Sequence, residues 1–201
     1  PFLHGIPYIW CSNNLTTAML TQCRLYRETT GDESYAEMEA ALRDWLFGCN
    51  PWGTSMIVEL PLYGDYPIQS HSSYVMDRVA NTTGGIVDGP VYSNIFNNLI
   101  GVSLKGLPWQ PGEDYARFQP DRMVYHDAIG DYSTNECTMD GTACLTYYLS
   151  SMQADGMKQA QMEADKNVYV NDGIVRTNPE KKQITLVFTA DDKADGAETI
   201  I

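Results

Sequence analysis

The run Tyr125-His126-Asp127-Ala128-Ile129-Gly130-Asp131-Tyr132-Ser133-Thr134-Asn135-Glu136 packs three carboxylates, two tyrosines and a histidine into twelve residues. An apolar stretch follows directly, and charges beside a buried element are costly unless they are paired or used. Glycoside hydrolysis would use them. It needs a protonated carboxyl to donate to the leaving oxygen, a second carboxylate to activate water, and aromatic rings to stack on the sugar. Spacing alone admits another reading equally well, in which Asp127 and Asp131 cap helices and Glu136 is a solvated first-turn residue at a helix N-terminus.

The elements around this run set its position. Leu15, Ala18, Met19, Cys23 and Tyr26 recur at three- and four-residue spacing and predict a helix over Asn13 to Glu28 with those residues on its buried face. Thr30-Gly31-Asp32 supplies a left-handed stop and an N-cap for a second helix, Glu33 to Phe47, which would bury Tyr35, Met38, Leu42, Trp45 and Leu46 and pair Glu39 with Arg43. Gly48 to Tyr132 is rich in proline and glycine, with one short helix expected over Ile95 to Leu104. A loop region this long in a compact domain is usually functional. Met139 to Met152 is apolar nearly all round and reads as a helix buried on most sides. Ala154 to Lys166 reads as a linker or a helix. Val168-Tyr169-Val170, Asn171-Asp172-Gly173 and Ile174-Val175-Arg176 form a hairpin pattern, and Ile184 to Phe188 alternate as a further strand before an acidic loop.

Composition narrows the partners. The chain of 201 residues carries 13 Lys+Arg against 26 Asp+Glu, a formal charge of −13, which excludes a phosphate-neutralising nucleic-acid face and disfavours a membrane surface. The 43% of hydrophobic residues is enough to build a core. Five cysteines without CxxC spacing read as buried free thiols. The opening Pro1-Phe2-Leu3 and the closing Glu198-Thr199-Ile200-Ile201 suggest a fragment cut at both ends.

Tyr125, Asp127, Tyr132 and Glu136, with Thr138 and Ala143 after them, resemble the C-terminal signature of glycoside hydrolase family 9, the inverting cellulases. Thr142 stands where that family usually has Asn, a change of local packing. Tyr8 to Asn14, Tyr26, Thr30-Gly31-Asp32, Leu46 to Pro51 and Gly84 to Pro90 extend the resemblance over residues 1 to 152. The family's His-x-Arg reads His71-Ser72-Ser73 here, so the histidine is kept and the arginine replaced, with Arg78 five residues beyond Ser73. The resemblance implies a mainly α fold, a partial (α/α)6 barrel with long loops, acting on a β-linked glycan with no cofactor, in a secreted or periplasmic setting. Glu136 becomes the general acid, its proton retained in a pocket walled by Tyr125, Tyr132 and either Trp52 or Trp109. Asp127 keeps the site polar and ordered and His71 bonds a sugar hydroxyl, while Arg78 is either a lone surface arginine or a residue that reaches toward the substrate. Nothing in the chain matches the family's base aspartates. The loss of the arginine supports an alternative, a glycan-binding module without turnover.

Lys182 to Asp192 resembles the first motif of polysaccharide deacetylases, in which a strand ends in a Thr-Phe-Asp-Asp turn. That resemblance implies a base and a divalent-metal ligand at Asp191 and Asp192, and an acidic strand-end loop is the equal alternative. The organisation expected is therefore a catalytic part over 1–152, a linker over 153–166, and the start of an α/β domain, a short β/α segment, over 167–201.

Overall fold

A computed structural model describes residues 4–68, 70–72, 81–103, 118, 120–164, 168–170 and 173–176. The chain is mainly helical and falls into two compact units, residues 1–148 and 149–201.

Helix α1 (Ser12–Thr30) ends as the sequence predicts, with Gly31 at φ 71° returning its N–H to the Arg27 carbonyl. Its buried side differs from expectation. Ser12, Asn13, Thr16, Thr17, Leu20, Cys23 and Arg24 face inward, whereas Leu15 and Tyr26 are exposed. The head of the helix is polar because it is bonded to backbone: Ser12 Oγ donates to the Pro90 carbonyl at 2.7 Å and Asn13 Nδ2 to the Val87 carbonyl at 2.8 Å. Apolar side chains there would leave those carbonyls unpaired.

Helix α2 (Ala36–Leu46) buries Leu42, Trp45 and Leu46, with Tyr35 exposed at its N-cap. Asp32 caps the preceding turn, accepting from the Ser34 N–H at 2.9 Å. Glu39 takes Arg27 of α1, at 2.9 Å and 3.1 Å, and accepts from the Tyr148 hydroxyl at 3.2 Å. The expected Glu39–Arg43 pair is absent because Glu39 is on the buried face, while Arg43 binds Asp44.

The loop region is held by short ladders. Strand β1 (Ile86–Val87) pairs antiparallel with β4 (Cys137–Thr138), and β2 (Val91–Tyr92) with β3 (Met123–Val124). Residues 56–58 add to the other edge of β1, with Val87 N–H on the Met56 carbonyl and Val58 N–H on the Gly85 carbonyl. Helix α3 (Ser93–Ser103) fills the place of the expected Ile95 to Leu104 helix. Helix α4 (Met139–Ala164) starts as predicted but presents one buried side, with Leu145 and Tyr148 inside and Met139, Tyr147 and Leu149 exposed. Strands β5 (Val168–Val170) and β6 (Gly173–Arg176) form the hairpin the sequence predicts.

Two glycines allow these pieces to touch. A Cβ on Gly141 would meet Asn14, Ile86 and Thr138, and one on Gly89, at φ 88°, would overlap the Asn13 side chain. Gly89→Ala combines a left-handed backbone with overpacking, so a loss of about 2–5 kcal/mol is expected, read as a lower denaturant midpoint. Thr142, the residue that departs from the family pattern, has a structural part. Its hydroxyl accepts from Ile86 N–H at 3.1 Å and donates to the Thr138 carbonyl at 2.5 Å, tying β1 to α4.

Candidate active site

Residues 134–137 are gripped by backbone from two sides. Asp88 N–H donates to the Glu136 carbonyl at 2.8 Å and Gly89 N–H to the Thr134 carbonyl at 3.0 Å. From the other side, His71 N–H donates to the Asn135 carbonyl at 2.9 Å and the Cys137 N–H to Ser72 Oγ at 3.0 Å. Glu136 is thus an exposed side chain on a backbone that cannot drift.

The segment before it is folded around a buried carboxylate. Asp131 Oδ1 accepts from Ser133 N–H at 2.6 Å, Ser133 Oγ at 2.5 Å and Thr134 N–H at 3.3 Å. Asp131 Oδ2 lies 3.0 Å from His126 Nδ1 and 3.1 Å from Thr134 Oγ1. Thr134 Oγ1 also accepts from the His126 N–H at 3.0 Å and so closes the loop on itself.

Three of the expected site residues stand around this segment. His71 donates from Nδ1 to the Ile129 carbonyl at 2.9 Å and meets the Tyr132 ring edge-on at 5.9 Å. Tyr132 stacks on Trp10 with centroids 5.9 Å apart and planes 7° from parallel. Asp127 is half-buried and hydrogen-bonded to Asn135; burial pushes its carboxyl up to about 7, and nearby Asp65 adds to the rise.

Tyr125 and Trp52 are not walls around Glu136. Tyr125 is 0% and Trp52 3% exposed, and their rings meet edge-to-face at 5.8 Å, with Trp52 also against Trp45 at 6.1 Å. They form the core under the site. Asn50 explains why Trp52 turns inward: its side chain donates to the Trp45 and Thr54 carbonyls and accepts from the Trp52 and Gly53 N–H groups, which folds Asn50-Pro51-Trp52-Gly53 back under α2. Trp109, Arg78, Ser73, Asp191 and Asp192 lie outside the described residues.

Three residues escaped the sequence reading. Trp10, 42% exposed, presents its ring beside Tyr132. Asp88 is 3% exposed and its carboxyl is raised to about 7, chiefly by burial, with the Cys11 hydrogen bond opposing and Glu136, Asp131 and Asp140 adding to the rise. Cys11 stands at the N-cap of α1 in a left-handed conformation, φ 56°, its thiol pushed up to about 12 by burial and by Asp88. An acid set between Ile86-Val87 and Gly89-Pro90 was the available signal for Asp88. All five cysteines are free thiols, with Cys23 buried, Cys49 exposed and the others between.

Among the described residues no group of His, Cys, Asp or Glu is arranged to hold a metal ion, and no helix is long and apolar enough to cross a membrane. The family model for Glycosyl hydrolase family 9 matches residues 3–149. The chain belongs to that family, which implies a glycoside hydrolase function and a glycan substrate. No curated protein and no solved structure matches it. The deacetylase resemblance gains no support, since the family match stops at residue 149 and Lys182 to Asp192 lie outside the described residues.

Proposed function

We propose that this chain forms the C-terminal part of an (α/α)6-barrel catalytic domain that cleaves a β-linked glucan or amino-sugar glycan with inversion, Glu136 being the general acid. The observation that carries the reading is the exposed Glu136 carboxylate on a backbone fixed from both sides, next to the Trp10–Tyr132 stack and His71. The rings offer flat apolar faces to a pyranose. His71, held by its Nδ1 on the Ile129 carbonyl and by its ring on Tyr132, would bond a sugar hydroxyl as the family resemblance implies. Asp131 is bonded within the loop and Asp127 to Asn135, and the family resemblance implies a different carboxylate, unmatched in this chain, to activate water at the ~6.5–9.5 Å that an inverting pair needs.

The test is the anomer released first. Proton NMR of a β-linked oligosaccharide turned over by the full-length protein is expected to show the α anomer before mutarotation. The β anomer first would contradict inversion. Sugar binding with no reducing ends released would favour the binding-module alternative.

A further inference from the structure

The direction of an exposed side chain is set by the two peptide planes that flank its Cα, because φ and ψ are the soft dihedrals of the backbone. At Glu136 both planes are held. The peptide before it is fixed by the Asn135 carbonyl, which accepts the His71 N–H at 2.9 Å. The peptide after it is fixed at both ends: the Glu136 carbonyl accepts the Asp88 N–H at 2.8 Å, and the Cys137 N–H donates the other way, to Ser72 Oγ at 3.0 Å. This alternation follows from the β1–β4 ladder. Register pairs Val87 with Cys137 and Ile86 with Thr138, and successive residues of a strand turn their polar groups to opposite edges. Residues 135 and 137 therefore direct theirs away from β1, toward residues 70–72, which stand where a further strand would.

From this geometry we infer that Ser72 is a positioning residue for Glu136, its hydroxyl holding the N–H end of the following peptide so that the carboxyl is presented to the leaving oxygen in one direction. The inference rests on the assignment of Glu136 as the acid. A hydroxyl suits the part because it both accepts and donates. Ser72 Oγ takes the Cys137 N–H and also donates to the Cys137 carbonyl at 3.5 Å, so one side chain serves both backbone groups of residue 137. A neighbour secures the side chain of the same residue: Ser70, fully buried, donates to Thr82 Oγ1 at 3.2 Å, and both hydroxyls bond the Cys137 thiol. Of the contacts that fix the two peptides, the one from Ser72 is made by a side chain and those from His71 and Asp88 by backbone, so substitution can remove it alone. The middle place of His71-Ser72-Ser73, open to any residue in the family's His-x-Arg, thereby has a defined task in this chain.

The experiment is Ser72→Ala in the full-length protein, read on two substrates. On an unactivated β-linked oligosaccharide kcat is expected to fall roughly 10–10²-fold, the cost of a misplaced catalytic group, with KM held within about twofold. On a dinitrophenyl β-glycoside, whose leaving group needs no proton, the rate should stay within about threefold of wild type, which also reports that the variant is folded. Ser72→Thr keeps the hydroxyl, and because Ser72 lines an open groove with Thr82, Cys137 and Thr138 the added methyl has room, so the oligosaccharide kcat should return to within about threefold of wild type. Placed in Glu136→Gln, Ser72→Ala should cost less than about twofold more, since a group that acts through Glu136 has nothing left to position. Wild-type kcat on the oligosaccharide in Ser72→Ala, equal losses on the two substrates, or a full further loss in the Glu136→Gln background would each overturn the inference. Retained oligosaccharide hydrolysis in Glu136→Gln would strike down the acid assignment and this inference with it, whereas a loss there with none in Ser72→Ala would strike down this inference alone.

Discussion

Glu136→Gln in the full-length protein is expected to lower kcat on an unactivated β-linked glycan by roughly 10²–10⁴-fold, the usual contribution of a positioned general acid. The amide keeps the shape and a hydrogen-bond donor but has no acidic proton to give. KM should change little, because the Trp10–Tyr132 stack and His71 are untouched, and a loss in kcat at constant KM marks an interaction made in the transition state. Folding should be unaffected as well. The side chain is exposed, and the bond that ties residue 136 to Asp88 uses its backbone carbonyl. A fall in thermal stability to match the fall in rate would point to a structural residue.

The second large effect falls on stability. Asp131→Ala removes the acceptor around which residues 126–134 are wound, leaving Ser133 N–H, Thr134 N–H and His126 Nδ1 without the partner they have in the folded protein. Breaking a buried pair by deleting one member typically costs 3–5 kcal/mol, because the survivor stays desolvated. The expected outcome is a loss of that size in denaturant unfolding. Asp131→Asn should lose less, since one acceptor oxygen remains. Both variants should also slow hydrolysis, since the loop that ends in Glu136 loses its internal frame. Wild-type stability in Asp131→Ala would mean that solvent replaces the carboxylate and that the loop is set from outside.

How far the sequence led depended on which interactions did the work. Gly31, the start of α4 and the β5–β6 hairpin follow from local rules of turn chemistry and alternation, and they appear where those rules put them. The inward face of α1 was misread because periodicity finds apolar stripes, whereas Ser12, Asn13, Thr16 and Thr17 are buried through hydrogen bonds, two of them to residues more than seventy positions away. Glu39 was misassigned for a similar reason, its partners Arg27 and Tyr148 lying on other helices. In the site, Glu136, Asp127, His71 and Tyr132 were singled out by the family resemblance and not by spacing alone, and the fold gathers His71, Tyr132 and Asp127 around residues 129–135. Tyr125 and Trp52 carried the same aromatic signal, yet the Asn50 turn directs Trp52 inward and Tyr125 packs against it. Trp10 could be placed on Tyr132, and Asp88 opposite Glu136, only once the chain was folded, because both pairings are long-range.

The central claim, that Glu136 delivers a proton to the leaving oxygen, is tested most directly by varying the leaving group in Glu136→Gln. A dinitrophenyl β-glycoside departs without protonation, whereas an unactivated glycan cannot. The account predicts that Glu136→Gln hydrolyses the aryl glycoside within about tenfold of wild type while losing the glycan by roughly 10²-fold or more. Equal losses on both substrates would contradict it.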